Sequence, residues 1–483
     1  MALRNGAAAL AAFVLVMLGV SPTYAEEFAS PRFVNGVAIG VVAAGGEFTC
    51  GVLESGGVRC WGRNDVGQLG NGNQIISAAP GSRTQLAVRS ITNAIAVAAG
   101  SAHACALLST GGVRCWGRNT NGQLGDGTTN NSFVPTTIAS LGTLTAQASA
   151  VSAGDQHTCA IVQNPVNLSP PSVRCWGSNA YGQLGRGTTG GDFSTPAVVA
   201  GTSGAISVSA GGRHTCAVLA TRAVVCWGFN GTGQLGDGTT TQRNTATTAV
   251  SGINTAWVVT AGSAHTCAGL QGGGFRCWGD NGLGRLGNGD FVASSTPTTV
   301  LMPTTPVTQE QIAAGTDFTC GIAFSAPDPD VYCWGGNMSG QLGAGDFISS
   351  TTPRVAPVPR SGSPLDRSVV ITAGKDHACA SIRFSTSQRI VCWGANTYGQ
   401  VGNDALKNSA SPVNIAPMKC SLDVDSDGTI GLDTDWLLLA RARMGLGGDA
   451  VLSGALGANA VRRTWPDIRS YLEASCAMTN LAQ

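Results

Sequence analysis

Charge is scarce in this sequence. Asp, Glu, Lys and Arg make up only 11% of the 483 residues and leave a formal net charge of +1. So neutral a chain has no basic field to concentrate nucleic acid and no acidic tail, and nucleic-acid binding is set aside. Long apolar runs are lacking as well. The one stretch that approaches this description, Ala7 to Val20 behind Arg4, falls short of the roughly 20 residues that cross a bilayer. Thr23-Tyr24-Ala25 follows it at the place a signal peptidase reads. Residues 1–25 are therefore expected to be a cleaved export signal rather than a membrane span, and the mature protein to be secreted, held at the cell surface or periplasmic. Catalytic motifs are missing too. The chain has no Gly-x-Ser-x-Gly elbow and no Walker loop, and Asp155, Asp192, Asp317 and Asp376 are too scattered to nominate a glycosidase pair.

Glycine and cysteine are abundant. The 68 glycines follow no Gly-X-Y period, which points to a β-rich chain with many tight turns. The 16 cysteines fall into eight pairs, and an oxidising compartment would let them form disulfides. Seven pairs lie between Val37 and about Pro417: Cys50 with Cys60, Cys105 with Cys115, Cys159 with Cys175, Cys216 with Cys226, Cys267 with Cys277, Cys320 with Cys333, and Cys379 with Cys392. Their first members recur 51 to 59 positions apart, the regular period of a propeller or solenoid.

Each unit reads as a β-hairpin. An apolar run ending in Ala-Gly precedes an alternating segment that carries the first Cys; a Gly-containing turn then leads to a second strand ending in Cys-Trp-Gly. A separation of ten, found in four pairs, would set the two cysteines opposite each other across a three-residue loop. The other three hairpins are lengthened at the tip. Seven tryptophans, one per unit at Trp61, Trp116, Trp176, Trp227, Trp278, Trp334 and Trp393, indicate a shared packing layer. After each comes Asn-x-x-Gly-Gln-Leu-Gly, with Arg285 replacing Gln once and Val401 replacing Leu once. The Gln reads as an internal hydrogen-bonding residue.

This repeat resembles that of the regulator of chromosome condensation family and covers about four-fifths of the chain. The resemblance implies an all-β fold, a seven-bladed β-propeller with four-stranded blades over residues 26–417. It further implies closure by a strand near Val37–Val42 pairing beside the last repeat. Propellers of this type include secreted inhibitors of β-lactamases and nuclear exchange factors for a small GTPase. The paired cysteines stand where the family more commonly has aliphatic or small residues.

Composition shifts after Met418. Asp423, Asp425 and Asp427 occupy loop positions one, three and five, with Gly428 at six, a spacing that wraps a chain around calcium. Thr429 supplies the next ligand and Asp435 is the expected late one, after a one-residue insertion at Thr434. The amphipathic run from Trp436 to Met444 would leave the loop as a helix, and a second helix follows around Trp465 to Leu472. The segment resembles a dockerin half-site. Residues 418–483 are thus expected to form a small α-helical module holding one Ca2+, clasped by Cys420 and Cys476, with a cohesin-like partner implied. A solvated acidic turn is the alternative.

Two further constellations need weighing. His103, His157, His214, His265 and His377 each precede a first Cys by two residues, a pattern that could ligate zinc or copper. Phe48 and Phe318 fill the same position in repeats one and six, which no metal site would tolerate, so core histidines are expected. The positions that do vary are the two residues after each motif Asn. If all seven turns share one end of the ring, they form a varied surface for a protein or surface-polymer partner. Tyr181 and Tyr398 would be its anchors, with Asp65, Asn121 and Met338 beside them. The chain reads as an exported interaction scaffold; an enzyme or accessory protein acting on extracellular polysaccharide, or an exchange factor by family analogy, are the alternatives.

Overall fold

The computed structural model describes residues 41–415 except 74–80, 168, 247–248, 304–310, 326–327, 360–368 and 384–387, together with two strands, Arg32–Val34 and Val37–Ile39, and position 452. The proposed export signal, the calcium loop and the eighth cysteine pair, Cys420 with Cys476, lie outside the described residues.

Seven antiparallel sheets follow one another along the chain, each built from a contiguous stretch. Blade two shows the pattern. Ala94–Ala99 is the innermost strand, followed outward by His103–Leu108, Val113–Gly117 and Ser132–Thr137. Blade one spans 42–87, blade three 147–198, blade five 256–299, blade six 312–356 and blade seven 369–414. Six blades have four strands. Blade four departs from the expectation: among the described residues it has three, from Ala205–Ala210 to Val224–Gly228, and its outermost place is marked there by the bridges Gly228 to Arg243 and Val225 to Ala249. There Arg243 is drawn back to Asp237, its Nε donating to Oδ2 at 3.0 Å.

The paired cysteines fall directly opposite each other in the second and third strands of each blade. All seven pairs within the repeats are disulfides. Cys50 is bonded to Cys60, Cys105 to Cys115, Cys159 to Cys175 and Cys216 to Cys226. Cys267 is bonded to Cys277, Cys320 to Cys333 and Cys379 to Cys392. Their Cα atoms are 4.0–4.2 Å apart, the close approach that directly opposed strand positions allow. The lengthened tips in blades three, six and seven leave that register intact, so Cys175, Cys333 and Cys392 meet their partners as squarely as Cys60, Cys115, Cys226 and Cys277 do.

Every tryptophan of the repeat is fully buried, and each is held by the preceding blade. Trp176 Nε1 donates to Gln123 O at 2.9 Å, and the same bond recurs at all seven seams, with Arg285 O taking the place of a glutamine carbonyl for Trp334. The second Gly of Gly-Gln-Leu-Gly explains itself here. A Cβ on Gly125, at φ +73°, would stand 2.6 Å from Trp176 Nε1, so the ring of one blade needs a bare backbone on the last. The Gly of Cys-Trp-Gly is constrained within its own blade: a Cβ on Gly117, at φ +101°, would meet Ala102 O at 2.6 Å.

The histidines are core residues, as expected, and they bind across seams. His157 Nε2 lies 2.8 Å from Thr215 Oγ1 of blade four, and that hydroxyl donates to Gln183 O of blade three at 2.8 Å. Since the only hydroxyl proton is spent on the carbonyl, the imidazole Nε2 must be the donor. His103 with Thr158, His214 with Thr266, His265 with Thr319 and His377 with Thr49 repeat the arrangement. Burial holds His103 and His214 down to about 3, and His157 and His377 to about 4; His265 is lowered as well. The two departures come as compensated pairs. Phe48 in blade one faces a blade two that carries Ala104 in place of Thr, and Phe318 in blade six faces a blade seven that carries Ala378. A ring longer than imidazole is accommodated by deleting the hydroxyl it would strike.

Closure differs from the expectation. Val42–Ala44 is the innermost strand of blade one, and Val37–Ile39 pairs with Arg32–Val34, so neither adds to blade seven. Blade seven is completed by its own Ser409–Asn414. The last seam is instead closed by the bonds used at the others: Trp61 to Gln400 O, Thr49 to His377 and Gln400, and Lys375 N–H to Gly45 O.

Candidate functional site

Antiparallel pairing brings the first-to-second and third-to-fourth connections of every blade to one end of the ring, and the hairpin tips and blade-to-blade linkers to the other. At the first end the connections are tied together. Arg63 N–H donates to Glu47 O, Arg118 to Ala102 O and Phe229 to Arg213 O, each at 2.9 Å. The motif Asn folds the longer connection. Asn119 Oδ1 accepts Leu124 N–H at 2.9 Å and its Nδ2 donates to Thr128 O at 3.1 Å. Gln123 Oε1 accepts Asn121 N–H at 2.9 Å, the internal role expected of it. Because the Asn satisfies the backbone in all seven copies and the Gln does so in six, the two residues after the Asn are free to vary.

All seven variable turns therefore share one end. Asp65 is half-buried there. Burial opposes its ionisation, but hydrogen bonds from Arg63 Nη2 at 2.6 Å and Gln68 Nε2 at 2.9 Å outweigh this and hold the carboxyl below its usual range. Arg63 also lies 5.2 Å from the ring centroid of Tyr398, so blades seven and one present a joined Tyr398–Arg63–Asp65 group. Tyr181 is matched in kind, with the Arg213 guanidinium at 4.9 Å and the Phe229 ring edge-on at 5.1 Å. Asn121 Nδ2 donates to Asp192 at 2.9 Å, and Met338 is 84% exposed. Of the five, only Tyr398 and Asp65 are brought together; the others are spaced round the ring.

A second set of residues lies farther along the same connections. Ten and eleven positions after the motif Asn, blades five and six carry Phe291-Val292 and Phe347-Ile348, which are 62, 71, 52 and 68% exposed. Blades two, three and four carry Thr129-Asn130, Thr189-Gly190 and Thr240-Thr241 there. The two apolar loops are neighbours: Gly289 N–H donates at 3.0 Å to the carbonyl of Thr351, three residues beyond Ile348. With Met338 and with Leu406 of blade seven they form an exposed apolar arc. The repeat also breaks at Arg285. Its carbonyl keeps the Gln role, while its side chain binds Asp280 at 2.8 Å and Asp317 at 3.2 Å, pinning blade five to blade six beneath that arc.

Sequence comparison places a model of the RCC1-like domain on residues 16–380. The chain is 29% identical over 341 residues to the ultraviolet-B receptor UVR8 of Arabidopsis thaliana, covering 68% of this chain and 73% of that protein. It is 32% identical over 217 residues to a probable E3 ubiquitin-protein ligase, HERC4, of Mus musculus, covering 44% of this chain but 19% of that larger protein. Among solved structures it is similar to yeast RCC1 (Prp20), solved with Kap60 bound, at a TM-score of 0.62 and 19% identity, covering 84% of this chain and 92% of that one. Human WBSCR16 is similar at a TM-score of 0.60 and 20% identity, covering 74% and 94%.

Proposed function

The chain belongs to the RCC1-like domain family, and from that premise we propose that it is an exported scaffold whose connection-bearing end binds a protein partner. The seven disulfides point to an oxidising location, extracellular or periplasmic. The observation that carries the reading is the apolar arc. Large side chains stand exposed on two adjacent blades at positions where blades two, three and four have small or polar ones, so packing within the propeller does not account for them. The flanking Tyr181–Arg213 and Tyr398–Arg63 pairs are of the residue types that dominate binding energy at interfaces. That yeast RCC1 has been solved with Kap60 bound supports such a use of the fold. No catalytic step is part of this reading.

The test is capture of partners from extracellular and surface fractions by the oxidised protein, run beside two double variants, Phe291→Ser with Phe347→Ser and Tyr181→Ala with Tyr398→Ala. A partner retained by the native protein and lost with one pair maps the site; equal retention by both variants would reject this end as the binding face. We propose further that residues 418–483 bind one Ca2+ through Asp423, Asp425, Asp427, Thr429 and Asp435, as an attachment module. Calorimetry of the full chain should then show one calcium site that Asp425→Ala abolishes, and unchanged calcium binding in that variant would exclude the loop.

A further inference from the structure

The middle of the ring holds a cavity of about 260 Å³, and a second of about 250 Å³ adjoins it through the seven alanines that end the innermost strands, Ala44 to Ala373. The first cavity is lined without a single charged side chain. Four hydroxyls face it. Ser152, Ser209, Thr260 and Thr372 each accept a backbone N–H from the next blade at 2.9–3.1 Å, which leaves the hydroxyl proton of each to give away.

Two residues in adjacent blades break the pattern of this wall. Trp257 stands in the bulge of the blade-five inner strand, where the matching positions of blades two, three and four are Ile95, Ser149 and Ile206. Gln311, three residues before the closing alanine of blade six, stands where other blades have Val41, Ala96, Ala150, Ser207, Val258 and Val370. Both line the cavity. Trp257 is only 4% exposed, and its Nε1–H has no hydrogen-bond partner; Gln311 Nε2 is buried and has none either. Other buried donors also lack a partner, Gln123 Nε2 and Gln234 Nε2 among them, but of these residues only Trp257 and Gln311 line the cavity, where an acceptor from outside the chain can be met.

We propose that the first cavity binds a neutral, oxygen-rich small molecule of monosaccharide size, with Trp257 Nε1–H and Gln311 Nε2–H as its fixed donors and the four hydroxyls as adaptable partners. The lining selects that class. An anion would lose its hydration with no cation to replace it, and a hydrocarbon would leave the indole and amide donors unmet. A hydroxylated ligand offers an acceptor to each donor and a donor to Gln311 Oε1, and an indole face suits its C–H surface. The volume lies below the roughly 300–1,000 Å³ of drug-sized pockets, which sets the upper size at about one sugar ring. Ordered water is the competing occupant.

The experiment is saturation-transfer NMR on the oxidised full chain with D-glucose, D-galactose, D-mannose, D-xylose and glycerol, followed by titration of whichever probe responds. At least one sugar should show transfer. Trp257→Phe, which keeps a ring and removes the donor, should weaken it at least tenfold, and Gln311→Leu should do the same. If Trp257→Phe proves poorly folded by its melting curve, Gln311→Leu decides. Transfer from none of the probes would assign the cavity to water alone, and full affinity in the folded variants would show that these donors are not used; either result overturns the proposal.

Discussion

Blades three and four meet through His157, Thr215 and the carbonyl of Gln183, whereas blades one and two meet through Phe48 and Ala104. The first seam is a relay of buried hydrogen bonds and the second an apolar contact of similar shape. Five seams use the polar version and two the apolar one. Side chains change together across a seam even though the partners lie more than fifty residues apart in sequence. The unit that specifies the ring is therefore the pair spanning two blades, and one repeat on its own does not display it.

Acid should separate the two kinds of seam most strongly. The five histidines are neutral when folded, with values pushed to about 3 or 4 for four of them, while an unfolded chain takes up their protons near pH 6.5. Their folded values are depressed, so the contribution is fully present above pH 6.5 and is lost as pH falls toward the folded values. With all five protonated only in the unfolded chain, the histidine contribution to stability should drop by about 7 kcal/mol per pH unit between roughly pH 5.5 and 4.5, opposed in part by Asp155 and Asp376, whose carboxyls are raised by burial. Denaturant titrations across that window measure the slope. Exchanging one polar seam for the apolar kind, by His157→Phe with Thr215→Ala, should make it shallower by about 1.4 kcal/mol per pH unit.

The same exchange at neutral pH tests the pairing itself. Thr215→Ala alone strands a buried imidazole N–H and should cost about 1–3 kcal/mol. His157→Phe alone drives a ring into the Thr215 hydroxyl and should cost a similar amount, about 1–3 kcal/mol. The double variant should recover most of both losses, giving a coupling energy of about 1–3 kcal/mol in a double-mutant cycle. Additive losses would refute the pairing rule. The smallest effect is expected at the rim, where Phe291→Ser with Phe347→Ser should change stability by less than about 0.5 kcal/mol per site, since exposed side chains contribute little. A larger loss in thermal denaturation would mean that the arc is structural.

Much of the interior can be read from the sequence because it depends on residue types at fixed spacing. Paired cysteines, one Trp per unit and the Gly-Gln-Leu-Gly turns each have a single structural reading that the ring bears out. Phe48 and Phe318 exclude a metal site, yet the reason they are tolerated lies in Ala104 and Ala378, whose relevance depends on which blades touch. Closure is misjudged for a related reason. Equivalent repeats carry no mark of where the ring is joined, and Val42–Ala44 has the Ala-rich character of every other innermost strand. The apolar arc is hidden because Phe291 and Phe347 follow their Asn by ten residues, just ahead of a strand, where aromatic residues look like ordinary strand formers. Trp257 escapes notice likewise, as an aromatic in an apolar run, until its unpaired N–H is located.

Closure without strand exchange has a topological consequence. Each blade is finished by its own stretch of chain, and the join between blades seven and one carries the same Trp-to-carbonyl bond as the remaining six. The order of the blades around the circle, and not the choice of first blade, is thus what the fold requires. New ends cut into a linker such as Arg89–Asn93, with the old ends bridged, would leave every sheet, disulfide and seam whole. Six such circular permutants should exist for this ring, one opening at each seam other than the native one, all with the same sheets, disulfides and seams.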